Sequence, residues 1–137
     1  MIIHEVPNFI QVSYSPGKDY ILFDWTDFLV TLEQIKVIHQ KALDVAVQKQ
    51  IYFYVAETSK VNSVLRSEVI KWWGEEWVPK LTAAGLKAIV TVVPMKVGLA
   101  SISTHNWQVQ VVGSIVMKNV RSLAEAESYL KEFNHGS

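Results

Sequence analysis

The chain has 137 residues, of which half are hydrophobic and 19% are charged, and this balance predicts one folded domain over residues 1–137 rather than a disordered chain. Thirteen basic residues balance thirteen acidic ones, which excludes a general electrostatic attraction to nucleic acid or to an anionic membrane. The absence of cysteine excludes disulfides, thiolate catalysis and zinc sites with cysteine ligands.

The sequence shows neither a secretory signal nor a membrane span. Residues 1–9 lack a basic start followed by an apolar stretch, and Glu5 and Pro7 interrupt them. The longest stretch without a charged or strongly polar residue, residues 88–95, is far shorter than the ~20 residues that a membrane-spanning helix needs. We therefore predict a cytoplasmic protein that does not insert into membranes.

An N-terminal hairpin is the first predicted element. Residues 9–14 and 20–25 are rich in aromatic and β-branched side chains, which favour strands. Between them, Pro16 presets the φ angle of the second turn position, and Gly17 readily adopts the positive φ of the third.

A helix and a buried strand are predicted next. Apolar side chains recur every three or four residues over residues 31–49, and Thr31 and Gln34 have the spacing of a capping box at the start of this helix. Residues 51–56 form a continuous apolar run without alternation, which is typical of a strand covered on both faces. We predict that they form the central strand of the sheet.

A second helix and a further strand extend this pattern. Residues 64–84 carry apolar side chains at helical spacing, and Gly85 is suited to end the helix in a left-handed conformation. Pro79 is expected to kink or divide the helix. Because residues 88–93 form another apolar run, the order of strand, helix and strand predicts a right-handed parallel crossover.

The last third of the chain is less regular. Residues 97–112 fit a helix only loosely and residues 108–112 alternate like a strand, and of the two we predict a short helix. Residues 115–120 predict a short strand, and Ser122 and Glu125 form a second capping box that opens a terminal helix. The whole order predicts an α/β fold with a mixed sheet, an N-terminal hairpin, a parallel β-α-β core and about four helices.

The loops after the two buried strands are the first candidates for a binding site, because ligands of open α/β sheets lie beyond the carboxyl ends of the parallel strands. A helix that begins after the first loop would attract an anion, a phosphate or a phosphorylated hydroxyl. In the alternative interpretation, Asn62 or Ser63 only caps that helix, and the rest of the loop is solvated. The candidate residues are Glu57, Thr58, Ser59, Lys60 and Ser63 in the first loop and Lys96 in the second.

Three tryptophans, Trp72, Trp73 and Trp77, lie close together in the second predicted helix. Adjacent residues of a helix point about 100° apart, so Trp72 and Trp73 cannot share one narrow face. Either all three pack into a wide core-facing side, or one of them reaches the surface as an anchor for a protein partner or a second copy of the chain.

The sequence carries no recognisable catalytic, cofactor or metal motif. Its four histidines lack the spacing of a helical metal-ligand pair, and it has no nucleophile elbow, phosphate loop or dinucleotide fingerprint. We therefore expect no enzymatic activity, no cofactor and no metal. A carboxylate enzyme that uses Asp24, Asp27 or Glu57 stays open as an alternative, and it would require these groups to converge in a cleft.

Three segments of the chain carry a resemblance to a known family. Residues 77–87, Trp-Val-Pro-Lys-Leu-Thr-Ala-Ala-Gly-Leu-Lys, lead into a strand, and residues 120–126, Val-Arg-Ser-Leu-Ala-Glu-Ala, lead into the closing helix. With the strand and loop of residues 51–63, they resemble the small bacterial SpoIIAA-like proteins, which share the STAS fold of anti-sigma-factor antagonists. The resemblance implies a STAS-like domain that is not an enzyme and that binds a regulatory protein partner. A homodimer is a separate expectation, because a net charge near zero gives little self-repulsion and the aromatic residues offer surface for a subunit contact.

The family's antagonists carry a phosphorylated loop after the central strand. Its motif is Asp-Ser-Ser or Asp-Ser-Thr followed by Gly, and a kinase modifies the hydroxyl. By the resemblance, Glu57 stands near the Asp and Thr58 and Ser59 stand near the hydroxyl pair. Lys60 replaces the Gly, so the standard phosphoacceptor motif is absent. A phosphate at Thr58 or Ser59 would order the loop and change its partner surface.

A carrier of small molecules is the rival prediction from a different class. The chain contains five Trp, five Tyr and five Phe residues, which is enough aromatic surface to line an apolar pocket in an α/β domain. The ligand in this case would be a lipid or another apolar compound.

Overall fold

A mixed β-sheet forms the centre of the fold in the part of the chain that the structure describes. The computed structural model describes residues 1–93, 110–112 and 114–136. The strands are β1 (Ile2–Val6), β2 (Ile10–Tyr14), β3 (Ile21–Trp25), β4 (Phe53–Glu57), β5 (Ala88–Val92), β6 (Gln110–Val112) and β7 (Ile115–Val120). The helices are α1 (Leu32–Lys49), α2 (Ser67–Trp72), α3 (Val78–Ala83) and α4 (Leu123–Gly136), and a π-helical turn (Trp73–Trp77) joins α2 to α3. These strands form a seven-stranded sheet in the order β1-β2-β3-β4-β5-β7-β6.

The N-terminal part of the sheet is antiparallel. The predicted hairpin of β2 and β3 is confirmed, with Gly17 at φ 90° and the Lys18 amide donating to the Ser15 carbonyl at 3.0 Å. Strand β1 pairs with β2 at the edge of the sheet and was not predicted. Its side chains are only partly covered and show no alternation of buried and exposed positions, so the sequence carries no strand pattern there.

The predicted first helix is confirmed as α1, which connects the parallel neighbours β3 and β4. Thr31 Oγ1 accepts from the Gln34 amide and Gln34 Oε1 accepts from the Thr31 amide, each at 3.1 Å, so the capping box forms as expected. The helix ends at Gln50, which adopts a left-handed conformation. Within the described residues, no helix is both long enough and apolar enough to cross a membrane.

The second helical stretch is divided by the π-turn Trp73–Trp77, which lies just before Pro79, the residue predicted to kink or divide it. A proline lacks the amide hydrogen of an α-helix, and its ring collides with the carbonyl four residues earlier. The preceding turn is widened to a π-turn, in which the Val78 amide donates to the Trp73 carbonyl five residues back, and α3 then starts with Pro79 in its first turn. The stretch ends at Gly85, at φ 90°, as predicted. Its start was wrong, because α2 begins at Ser67 rather than at residue 64.

The prediction of a short helix at residues 97–112 falls mainly outside the described residues. It is wrong for residues 110–112, which form β6 and pair antiparallel with β7, because their sheet partner overrides a weak helical pattern. The described residues therefore contain three helical stretches, namely α1, the α2–α3 stretch and α4, rather than about four.

The central strand β4 separates two layers of the core. It pairs in parallel with β3 on one side and β5 on the other. Tyr54 and Ala56 face the layer that contains α1, α2 and α3, whereas Phe53 and Val55 face the layer that contains α4. The prediction of a central strand covered on both faces is confirmed.

Replacing Gly85 by alanine tests the end of the second helical stretch. We expect Gly85→Ala to lower the free energy of unfolding by about 1–2 kcal/mol, because a side chain is unfavourable at φ 90°. The matched control is Gly74→Ala in the π-turn, where an added Cβ meets no atom within 4 Å. This control should leave stability unchanged or raise it by up to ~1 kcal/mol. Urea unfolding of both variants measures the difference, and equal losses would contradict the assignment.

Candidate functional site

A cavity of about 350 Å³ lies near the carboxyl ends of the parallel strands, on the side of the sheet that α1 and α2 cover. Strands β3, β4, β5 and β7 supply its floor. Its walls come from α1, α2, α3, the π-turn and the segments that precede α1 and α2. Crossover connections in open α/β sheets leave such a crevice at this edge, where ligands commonly bind. The cavity is therefore the natural candidate for a functional site.

The floor of the cavity is a row of four residues that are in register across four parallel strands. Phe23 pairs with Ala56, Ala56 with Thr91, and Thr91 with Asn119. The side chains beyond Phe23 are smaller, first the apolar Ala56 and then the polar Thr91 and Asn119, so this row leaves space that larger residues would fill. The neighbouring row, which contains Tyr54, is larger and closes the floor toward the amino ends of the strands.

The walls of the cavity are apolar, with both aromatic and aliphatic side chains. Trp25 and Phe28 meet edge to face, with their ring centroids 5.1 Å apart. Leu65, Trp73 and Ile70 line the cavity from the α2 side. None of the described lining residues is an acid, a lysine or an arginine, so this part of the surface carries no formal charge at neutral pH.

A polar clamp holds Phe28 in the cavity wall. Ser63 Oγ donates to Asp27 Oδ1 at 2.8 Å and accepts from the Phe28 amide at 2.9 Å. Asp27 Oδ1 also accepts from the Leu29 amide at 2.9 Å. These hydrogen bonds, led by the one from Leu29, lower the pKa of Asp27. The clamp fixes the segment after β3 against the segment after β4, and it gives Ser63 a structural part.

His39 on α1 is a buried, neutral member of the cavity lining. Its Nδ1 lies 2.9 Å from the Ile35 carbonyl, and because a carbonyl can only accept, Nδ1 carries the proton. The rings of Trp72 and Trp77 each lie 5.6 Å from the imidazole between centroids. Burial lowers the pKa of His39 to about 4, so at neutral pH Nε2 is an unprotonated hydrogen-bond acceptor.

Tyr54 lines the same cavity, but its hydroxyl is buried away from the cavity space. The residue is 3% exposed, and among the described residues its Oη has no hydrogen-bond partner. Burial raises the pKa of Tyr54, so the phenol stays protonated at neutral pH. A buried hydroxyl without a hydrogen-bond partner lowers the stability of the folded protein by about 1–3 kcal/mol.

Most side chains of the predicted loop after β4 contact other groups of the protein. Glu57 Oε1 accepts from the Ser59 amide at 2.7 Å. Thr58 is buried, and its hydroxyl donates to the Val92 carbonyl at 2.6 Å. Lys60 Nζ lies 3.1 Å from Asp24 Oδ1 without hydrogen-bond geometry. Of the two hydroxyls near the expected phosphoacceptor position, Ser59 is exposed and Thr58 is not.

The expected link from this loop to a helix N-terminus is wrong. Helix α2 starts at Ser67, after Arg66 at its N-cap position, and no side chain caps it. Neither Asn62 nor Ser63 therefore caps the helix, and the Ser63 hydroxyl is used by the clamp instead. Lys96, the candidate from the second loop, lies outside the described residues.

The three tryptophans do not share one surface. Trp72 and Trp77 are buried and stack on each other at 5.3 Å between ring centroids, whereas Trp73 is half-buried and lines the cavity. In a regular α-helix, residues five apart would point about 140° away from each other. The π-turn at Trp73–Trp77 carries an additional residue per turn and brings Trp72 and Trp77 onto the same side.

The carboxylates proposed for an enzyme do not converge in the cavity. Asp24 and Glu57 are register partners at the ends of β3 and β4, but Asp24 faces Lys60 while Glu57 binds its own loop. Asp27 belongs to the clamp. None of these three residues lines the cavity, and the described residues contain no group of three His, Cys, Asp or Glu side chains placed to hold a metal.

Comparison with known proteins adds no relative. No protein-family model, no curated protein and no solved structure matches the chain. The resemblance to the SpoIIAA-like proteins therefore stays a prediction, and the site is interpreted from its geometry.

The residues that form the cavity floor were missed at the level of sequence. Ala56, Thr91 and Asn119 lie in predicted strands, but small and neutral side chains give no chemical signal on their own. Only the register of the four parallel strands brings them into one row. The single sequence signal for the cavity was the abundance of aromatic residues.

The buried imidazole predicts that stability falls in mild acid. Because the pKa of His39 is lowered to about 4 in the folded protein, the unfolded chain takes up a proton first as the pH falls below about 6.5. We expect the free energy of unfolding to decrease by about 2 kcal/mol between pH 7 and pH 5 on account of this residue.

Urea unfolding at several pH values measures this effect. His39→Leu should remove most of the decrease between pH 7 and pH 5, whereas His4→Gln, at the half-exposed edge strand β1, should retain most of it. An unchanged pH dependence in His39→Leu would contradict the assignment of a buried neutral imidazole.

Proposed function

We propose that the protein binds a small, mainly apolar molecule in the cavity at the carboxyl ends of its parallel strands. The observation that carries the proposal is the cavity of about 350 Å³ with an aromatic wall and a floor of small residues. Ligand sites in proteins commonly have volumes of about 300–1,000 Å³, apolar linings and a few polar groups. The predicted carrier function therefore fits the geometry better than its rivals do.

Access to the cavity supports a binding role. Ile70 on α2 lines the cavity and is 57% exposed, so the cavity reaches solvent beside this helix. An exposed apolar side chain at such a rim would be covered by a bound apolar molecule. The aromatic residues Trp25 and Trp73 line the same space and would contact the ligand directly.

One polar side chain of the lining supports binding of a molecule with some polar character. His39 lines the cavity and is neutral at neutral pH. Its Nε2 is then a hydrogen-bond acceptor, which suits a ligand that carries a hydrogen-bond donor.

Filling the cavity tests the proposal. The neutral fluorescent probe N-phenyl-1-naphthylamine should bind the unmodified protein with increased emission. Ala56→Leu, which adds a larger side chain to the cavity floor, should weaken binding about tenfold or more, because the space for the probe is lost. The control is Ala124→Leu at an exposed position of α4, which should bind the probe like the unmodified protein. Equal binding by all three proteins, or by none of them, would contradict the proposal.

A regulatory STAS-like function in the cytoplasm is the second candidate, and the exposure of Ser59 favours it. This hydroxyl lies directly after the central strand, where the resemblance places a phosphoacceptor, and Glu57 fixes its backbone. A phosphate at this exposed position would change the local charge by nearly two units and could control a regulatory partner or the pairing of two copies.

Site-specific phosphorylation tests this second candidate. Protein purified from its own cells should carry phosphate at Ser59 and not at the buried Thr58. Ser59→Asp should reduce co-purification of the regulatory partner at least about tenfold, because the added charge lies in the expected contact loop. Ser128→Asp at an exposed position of α4 is the control and should retain the partner. Absence of phosphate at Ser59, with no change in bound proteins, would argue against the switch.

A further inference from the structure

A pair of polar side chains lies at the β5–β7 end of the cavity. Thr91 and Asn119 are register partners on these neighbouring parallel strands, and both line the cavity. Both are half-buried, and within the described residues neither side chain has a hydrogen-bond partner. Together they present a hydroxyl and a carboxamide, which can each donate and accept a hydrogen bond.

The opposite end of the cavity is apolar. Trp25 and Phe28 form its wall beside β3. Two strand spacings separate β3 from β5 and three separate it from β7, which corresponds to roughly 10 and 14 Å. A molecule of about two fused rings with one polar substituent would therefore reach from the aromatic wall to the polar pair.

The charge of the lining selects against ions. None of the described lining residues is acidic or basic at neutral pH, since His39 is neutral there. The nearby ammonium of Lys60 is paired with Asp24 and does not line the cavity. A carboxylate or an ammonium group that entered would lose hydration without gaining a counter-charge from the described lining residues, which is strongly unfavourable.

We infer that the ligand is a neutral molecule with a flat apolar body and one uncharged polar group, such as an amide, a hydroxyl or a carbonyl. Thr91 and Asn119 hydrogen-bond the polar group, and Trp25 and Phe28 pack on the apolar body. This inference rests on the proposed binding function and deepens it by naming the chemistry of the ligand. It distinguishes the site from one for fatty acids or other anionic lipids.

Two probes of nearly equal shape separate a neutral ligand from a charged one. Calorimetric titration at pH 7.5 compares 2-naphthamide with 2-naphthoate, which carries a negative charge, and includes 2-methylnaphthalene as a probe without a polar group. We expect the amide to bind at least about tenfold more tightly than the carboxylate, owing to the desolvation of the charge. This comparison uses the unmodified protein and needs no variant.

Variants of Thr91 and Asn119 test whether these residues hydrogen-bond the polar group of the ligand. Thr91→Val and Asn119→Leu preserve approximate size and remove hydrogen-bonding atoms. Each should weaken 2-naphthamide about tenfold and leave 2-methylnaphthalene within about twofold, since the hydrocarbon makes no hydrogen bond. The unchanged binding of the hydrocarbon shows that each variant keeps its fold and its cavity.

The outcomes separate the proposed binding function from the inferred chemistry of the ligand. If none of the three probes binds, the proposed function fails and the inference fails with it. If 2-methylnaphthalene binds but the carboxylate equals or exceeds the amide, the cavity binds apolar molecules and only the inference is overturned. Equal loss of the amide and the hydrocarbon in both variants would also overturn it, because the two residues would then act on shape and not on polarity.

Discussion

The burial of β4 on both faces is the constraint on which the rest of the structure depends. This strand pairs in parallel with β3 and β5, and parallel neighbours require crossover connections that cover the sheet. Its side chains alternate between the two layers, so Phe53 and Val55 build the α4 side while Tyr54 and Ala56 build the side of α1 and α2. The aromatic first half of the strand anchors the core. Ala56, near the end of the strand, is small and leaves space for the cavity at the carboxyl ends of the parallel strands.

The cavity follows from how the chain leaves this strand. After β4, residues 58–66 contain no helix, and α2 begins only at Ser67. The clamp centred on Ser63 holds the loop beside the segment after β3 and keeps Phe28 in the wall. The π-turn then directs Trp72 and Trp77 into the core, while Trp73 lines the cavity. The late start of α2 and the π-turn thus both shape the wall of the cavity.

Local signals account for the elements that the sequence predicted. The Pro16-Gly17 turn, the capping box at Thr31 and the left-handed Gly85 each depend on residues close in the chain, and each appears where it was expected. The edge strand β1 is defined by its pairing with β2 and was missed, whereas α2 starts without a side-chain cap and its start was misplaced. The candidate site shows the same division. The loop after β4 was located by the crossover pattern, but Thr58 is buried by its bond to Val92, and the cavity floor depends on register across four strands. Ala56, Thr91 and Asn119 can be recognised as part of a site only once the pairing of their strands is known.

Direct observation of a bound probe inside the cavity tests the central claim most closely. Nuclear Overhauser effects between N-phenyl-1-naphthylamine and selectively labelled methyl groups would report contacts within a few ångströms. Binding in the cavity predicts contacts with the methyl groups of Ala56, Ile70 and Met117, which line it, and none with the exposed Val37 and Val47 of α1. Contacts with those exposed valines in place of the cavity residues would show that the probe binds the outer surface, and the account of a ligand-binding cavity would be wrong.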